Sequence, residues 1–149
     1  MPYTEAFLME VLRHSSLAPI GVFHTALFDA KIRDFKIPKN SWVIANLYGV
    51  HYDKEIWGDP ENFRPERFIT SSGKVMQKPE ALIPFSVGKR QCLGESLARD
   101  TLFLFATSIF QKFDVFPDPN NPKTDGLGCG PGFLRIPSPF TVIMKERVH

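Results

Sequence analysis

Between Gly94 and Phe113, apolar side chains fall on nearly every face of a helix: Leu97, Leu102, Phe103, Phe105, Ile109 and Phe110 among them. A helix without a polar face is buried on most sides. A chain of 149 residues does not easily supply a core of that thickness. The helix is therefore expected to belong to a larger body. The first residues point the same way. Glu5 to Arg13 already reads as helix, a few residues after Met1, with no charged leader, apolar segment or cleavage site of a signal peptide. Domains seldom start inside an element, so the chain reads as the later part of a longer one.

The other elements are short. Residues 4–14 read as a helix with Thr4 as N-cap, Phe7, Leu8, Val11 and Leu12 along one face, and an end at Ser15, Ser16 and Pro19. Ile32 to Ile37 and Trp42 to Leu47 read as two strands of one hairpin, turning through Pro38-Lys39-Asn40-Ser41. Residues 51–91 are rich in proline, and the chain holds 13 prolines in 149 residues, well above the usual share of about 5%. So long a stretch without periodicity is either functional or disordered. Trp57, Phe63, Phe68 and Phe85 argue against disorder, so the segment is expected to be ordered loop packed by its rings. Residues 117–132 read as loop, and Phe133 to Ile136 with Phe140 to Lys145 as a closing hairpin. The expected class is mainly α with small β-sheets, an α+β fold.

Composition excludes several functions. No apolar run nears the roughly 18 residues of a membrane span. A net charge of +2 is too small to argue for nucleic acid or an acidic membrane. Two cysteines, Cys92 and Cys129, are too few for a disulfide scaffold or a four-cysteine zinc site. Cys129 lies in a glycine run, Gly126 to Gly132, that lacks the lysine and following helix of a phosphate loop.

Cys92 is different. It sits in Phe85-Ser-Val-Gly88-Lys-Arg90-Gln-Cys92-Leu-Gly94, directly before the apolar helix. Amides of the turn and the helix can donate to its sulfur, and the helix dipole favours negative charge there. Gly88 and Gly94 allow backbone that a side chain would block, and Arg90 adds a nearby cation. Two readings follow from the residues: a site that holds a thiolate, or a buried structural cysteine beside a surface arginine.

The five residues Phe85, Gly88, Arg90, Cys92 and Gly94, at that spacing, resemble the haem-binding signature of the cytochromes P450. The resemblance implies that Cys92 is the thiolate axial ligand of haem iron, which favours O–O cleavage. Two further stretches resemble the family's landmarks. Glu10-Val-Leu-Arg13 matches its Glu-x-x-Arg helix, and Pro65-Glu66-Arg67-Phe68 matches the segment whose arginine completes a buried triad. Glu10, Arg13 and Arg67 are then structural supports of the cysteine loop, since buried charges need mutual pairing. Arg90 and His24 are expected at the haem propionates, Arg90 through two parallel hydrogen bonds; the alternative for His24 is an ordinary loop histidine. Ile20 and Val22, and Phe133 and Leu134 at the tip of the closing hairpin, match places that touch substrate, or are ordinary core residues. Lys89, Arg64 and Lys78 match a basic surface where redox partners dock, or are solvated charges.

The resemblance covers the whole chain, residues 1–149, as the C-terminal portion of a single cytochrome P450 domain. It implies a monooxygenase of microsomal animal type, closest in wording to insect members. Such an enzyme inserts one oxygen atom of O2 into a lipophilic small molecule. It uses haem b and electrons from NADPH through a reductase, with no nucleic acid involved. It implies the cytosolic face of the endoplasmic reticulum membrane, reached through an N-terminal part that this sequence lacks. The chain alone is expected to be inactive. The rival readings are a haem-thiolate isomerase or dehydratase of the same fold, and a non-enzymatic truncated fragment.

Overall fold

The computed structural model describes residues 1–77, 79–120 and 133–148. Its first helix, α1 (Pro2–Ser15), begins two residues before the expected cap. Pro2 stands in the first turn, where its missing N–H costs nothing and its fixed φ suits a helix. Thr4 is therefore inside the helix. Ser16 ends it in the left-handed region (φ 40°, ψ 53°), with its amide on the Leu12 carbonyl. The buried residues are Ala6, Leu8, Glu10 and Arg13, so the expected apolar stripe is only half right. Phe7, Val11 and Leu12 are half-buried, while an acid and a base take the deepest places.

The expected hairpin is corrected by a nested arrangement. Strand β1 (His24–Thr25) pairs antiparallel with β4 (Trp42–Val43). Between them, β2 (Ala30–Ile32) pairs with β3 (Phe35–Ile37). The run read as one strand turns back inside itself at Arg33, which has φ 52°, and Asp34. The second turn does form at residues 38–41: Asn40 has φ 67°, and Ser41 donates to the Pro38 carbonyl. It delivers β4 to β1 rather than to β3. Leu47 leaves the strand altogether and opens helix α2 (Leu47–His51), capped by the Asn46 side chain on the Gly49 amide.

The described part of the proline-rich middle, expected to be loop, also holds short helical turns. After α2 comes α3 (Lys54–Trp57), where the Asp53 carboxylate accepts from the amides of Glu55 and Ile56. Gly58, at φ 73°, closes it. A single 3-10 turn, Pro65–Phe68, then packs on α1. Ala6, Phe68 and Leu82 form the core there, flanked by Met9, Trp57, Ile69 and Val75. The rings of Trp57 and Phe68 meet edge to face at 5.7 Å, a geometry that adds to their burial.

Helix α4 (Glu95–Lys112) buries none of its residues within this chain. Leu97, Leu104 and Phe105 are 73%, 61% and 67% exposed. It touches α1 on one side and runs into β5 (Phe113–Pro117), which pairs with β6 (Val142–Glu146). The expected pairing of 133–136 with 140–145 is thus replaced. Pro137 and Pro139 lie between the two segments and cannot donate to a ladder. Arg135 instead donates its amide to the Leu17 carbonyl, 2.8 Å away. Among the described residues the sheets are three antiparallel pairs, and the class is α+β as read from the sequence.

An apolar face of this size on a soluble chain marks a lost partner or an aggregation site. The 149-residue chain purified alone is expected to bind an apolar-surface dye and to self-associate. A soluble monomer that excludes the dye and melts cooperatively would contradict this.

Candidate functional site

The cysteine loop is fixed by its backbone. Ser86 (φ 64°) and Gly88 (φ 78°) both take the left-handed region. A Cβ on Gly88 would meet nothing within 4 Å, so glycine is favoured there by conformation and not by crowding. The next residues form a 3-10 turn, Gly88–Arg90, and Gln91 donates to the Gly88 carbonyl at 3.1 Å. The Cys92 amide turns back onto the Phe85 carbonyl at 2.8 Å. Gly94 departs from expectation: its φ of −89° suits any residue and a Cβ there would meet open space.

Cys92 is a free cysteine and it is exposed, which removes the buried structural reading. Its sulfur accepts no hydrogen bond among the described residues, and its own amide is used inside the loop. Leu93 beside it is fully exposed and Val87 is 63% exposed. Arg90 is exposed and its guanidinium has no partner among the described residues. Phe85 is half-buried under the Arg99 guanidinium, 5.2 Å from its ring centre. The thiol and the apolar side chains of Val87 and Leu93 therefore line one open cavity at the N-terminus of α4.

Glu10, Arg13 and Arg67 are in direct contact. Arg13 Nε and Nη2 each donate to the Glu10 carboxylate at 2.8 Å, a two-pronged pair. Arg67 Nε donates to Oε1 of the same carboxylate at 3.2 Å, and so does the Arg64 amide at 2.8 Å. The spare donors of Arg13 end on the carbonyls of His51 and Pro60, both at 2.8 Å. Those of Arg67 end on the carbonyls of Trp57, Asp59 and Asn62. No buried side-chain nitrogen or oxygen among the described residues lacks a partner.

Two members of this network were not singled out from the sequence. Asp59 accepts from Arg64 at 2.8 Å and from Arg67 at 3.1 Å. The Arg64 hydrogen bond above all holds its carboxyl far below the ordinary range. Arg64 is thereby paired with Asp59 while its side chain stays largely exposed. His51 is fully buried; its Nδ1 lies 3.1 Å from Ser16 Oγ, and its Nε2 accepts from the Ile83 amide at 3.1 Å. Burial, and next the nearby Arg13 charge, push its pKa down to about 4. It is the last residue of the short helix α2, and a single histidine at the end of one turn of helix carries no sequence pattern of its own.

The remaining candidates are more dispersed. His24 is half-buried in β1 and its ring has no hydrogen-bond partner among the described residues. Ile20 is half-buried and Val22 is exposed. Phe133 and Leu134 are exposed and are not at a hairpin tip, since that hairpin does not form. The two segments nevertheless meet: Phe133 packs edge to face on Phe23 at 5.8 Å. Lys89 is exposed. Lys78, Cys129 and the rest of the 126–132 glycine run lie outside the described residues.

A family model described as Cytochrome P450 matches residues 1–144. The chain is 46% identical over 141 residues to the farnesoate epoxidase of Bombyx mori, covering 91% of this chain and 28% of that protein. It is 43% identical over 147 residues to Cytochrome P450 2D6 of Homo sapiens, covering 99% and 29%. Against Cytochrome P450 18a1 of Drosophila melanogaster the figures are 41% over 147 residues, 99% and 27%. The chain thus spans less than a third of the length of these relatives.

Two tests use this chain joined to the amino-terminal part of the silkworm relative. Arg13→Ala leaves Glu10 and Arg67 buried with too few partners, and should cost about 3–5 kcal/mol in denaturant unfolding. A loss under about 1 kcal/mol, the range of a surface pair, would contradict the burial. The second test concerns pH. His51 is neutral when folded, while the unfolded chain takes up its proton around the ordinary value of 6.5. Its contribution is complete above that pH and is lost as pH falls towards about 4. His51→Phe should flatten the stability profile across that window.

Proposed function

The chain belongs to the cytochrome P450 family, and from that premise we propose that it forms the haem-ligand side of a haem-thiolate monooxygenase. The observation that carries this reading is the exposed free thiol of Cys92, held out by a loop whose own hydrogen bonds do not use the sulfur. The residues present fit a haem. A thiolate is a soft ligand suited to iron, and two side chains able to hold carboxylates, Arg90 and His24, have no other partner among the described residues. The exposed Leu93 and Val87 would face an apolar ring.

When bound, haem b with a thiolate ligand supplies the O2 activation by which one oxygen atom enters an organic substrate. The chain's own part is binding and orientation. Cys92 ligates the iron as thiolate. The left-handed backbone of Gly88 and the ring of Phe85 shape the loop around it. Arg90 and His24 hold the propionates by charge-assisted hydrogen bonds. Glu10, Arg13 and Arg67 fix the segments beneath.

Residues 1–149 act as the C-terminal portion of a single P450 domain, in keeping with the share of each relative they span. The substrate is a lipophilic small molecule; farnesoate, in the name of the silkworm relative, is of that class. Ile20, Val22, Phe133 and Leu134 are its contacts, supported by the meeting of their two segments at Phe23 and Phe133. Electrons come from NADPH through a reductase, which docks near Lys89. The whole protein works at the cytosolic face of the endoplasmic reticulum membrane. No helix among the described residues is long and apolar enough to cross a membrane.

The ligand is tested in the chimera with the silkworm relative. The reduced carbonyl complex should show the red-shifted Soret band of thiolate ligation. Cys92→Ser should abolish it and Cys129→Ser should not. The reverse result would move the ligand to Cys129.

A further inference from the structure

Among the described residues, His51 is the one side chain hydrogen-bonded to both Ser16 and Ile83. Its ring is fully buried, and both nitrogens are used. The Ile83 amide can only donate, so Nε2, at 3.1 Å, must be the bare nitrogen. The proton is then on Nδ1, which donates to Ser16 Oγ at 3.1 Å. Ser16 is the residue that caps α1, directly after the turn that carries Arg13. The His51 carbonyl accepts from Arg13 Nη1.

From Ile83 the connection runs into the cysteine loop. The Ile83 carbonyl accepts from the Ser86 amide at 3.0 Å, and the Phe85 carbonyl accepts from the Cys92 amide at 2.8 Å. The backbone that receives Cys92 therefore hangs from the imidazole at one end. Arg13, which bonds the His51 carbonyl, is itself paired with Glu10, and no carboxylate among the described residues bonds the imidazole. The ring has nothing to stabilise a second proton, so its acceptor end stays available.

We infer that His51 is a positioning residue for the cysteine loop: a neutral imidazole, protonated on Nδ1, that sets the height of the Ile83–Phe85 backbone and through it the place of Cys92. This rests on the reading of Cys92 as the iron ligand for its consequence, though not for its geometry. A histidine that merely fills the core would depend on shape and volume. A positioning histidine depends on the acceptor at Nε2.

The test uses the full-length chimera with the silkworm relative, haem-loaded, reduced and carbonyl-bound. In the wild-type sequence, nitrogen spectra of labelled histidine at neutral pH should show the His51 proton on Nδ1 alone. A proton on Nε2, or on both nitrogens, would overturn the inference without any variant having to fold. Amide exchange over residues 83–92 then separates the two ends. His51→Gln carries an oxygen three bonds from Cβ, as far as Nε2, and should keep exchange near the wild-type rate. His51→Asn keeps only the Ser16 end and should speed exchange about tenfold, the worth of one buried hydrogen bond. Equal exchange in the two variants would overturn it. The Soret band reports ligation and exchange reports the tie, so the two readings fail separately.

Discussion

The carboxylate of Glu10 is the point on which the described structure turns. Removing a charge from water costs several kcal/mol, and that cost is offset only when every lone pair and proton finds a partner. Glu10 meets the condition with two guanidiniums and one backbone amide. Each guanidinium meets it in turn by gathering carbonyls from residues 51–62. The segment of short helices and prolines has few regular ladders of its own. Its path is set largely by where those carbonyls must stand. The small apolar core of Ala6, Phe68 and Leu82 then closes against it.

The cysteine loop inherits this order at second hand. Nothing in the ten residues from Phe85 to Gly94 would hold itself against solvent by burial, since most of them are exposed. Two left-handed residues, one 3-10 turn and the Cys92 amide bond give the loop its local form. The link through Ile83 and His51 gives it a fixed place relative to α1. Local shape comes from the loop sequence, and placement comes from a residue over thirty positions upstream of it.

That division explains what could be read from the sequence. Helices α1 and α4 announce themselves by period and length, and the signature around Cys92 by fixed spacing. The contacts among Glu10, Arg13 and Arg67 were legible only because two motifs resemble those of one family; nothing in their sequence distance brings residue 10 to residue 67. The strand pairings were misread because short β segments have no period long enough to choose a partner. Arg33 turning inside an alternating run, and Pro137 and Pro139 blocking the last hairpin, decided them instead. His51 and Asp59 were missed because their importance lies wholly in what they touch.

The nesting of β2–β3 inside β1–β4 has a separate consequence for how this part of the chain can vary. Both ends of the inner hairpin leave from the outer pair, where Ala26 and Ser41, and Asn40 and Ala26, are joined by backbone bonds. The outer register, His24 on Val43, is therefore closed without reference to the tip at Arg33-Asp34. The tip is a side branch: residues can be added or removed there, or a tag grafted, while the ring of His24 keeps its address. Length variation among relatives should collect at that branch point, and protein engineers can treat it as a permissive socket.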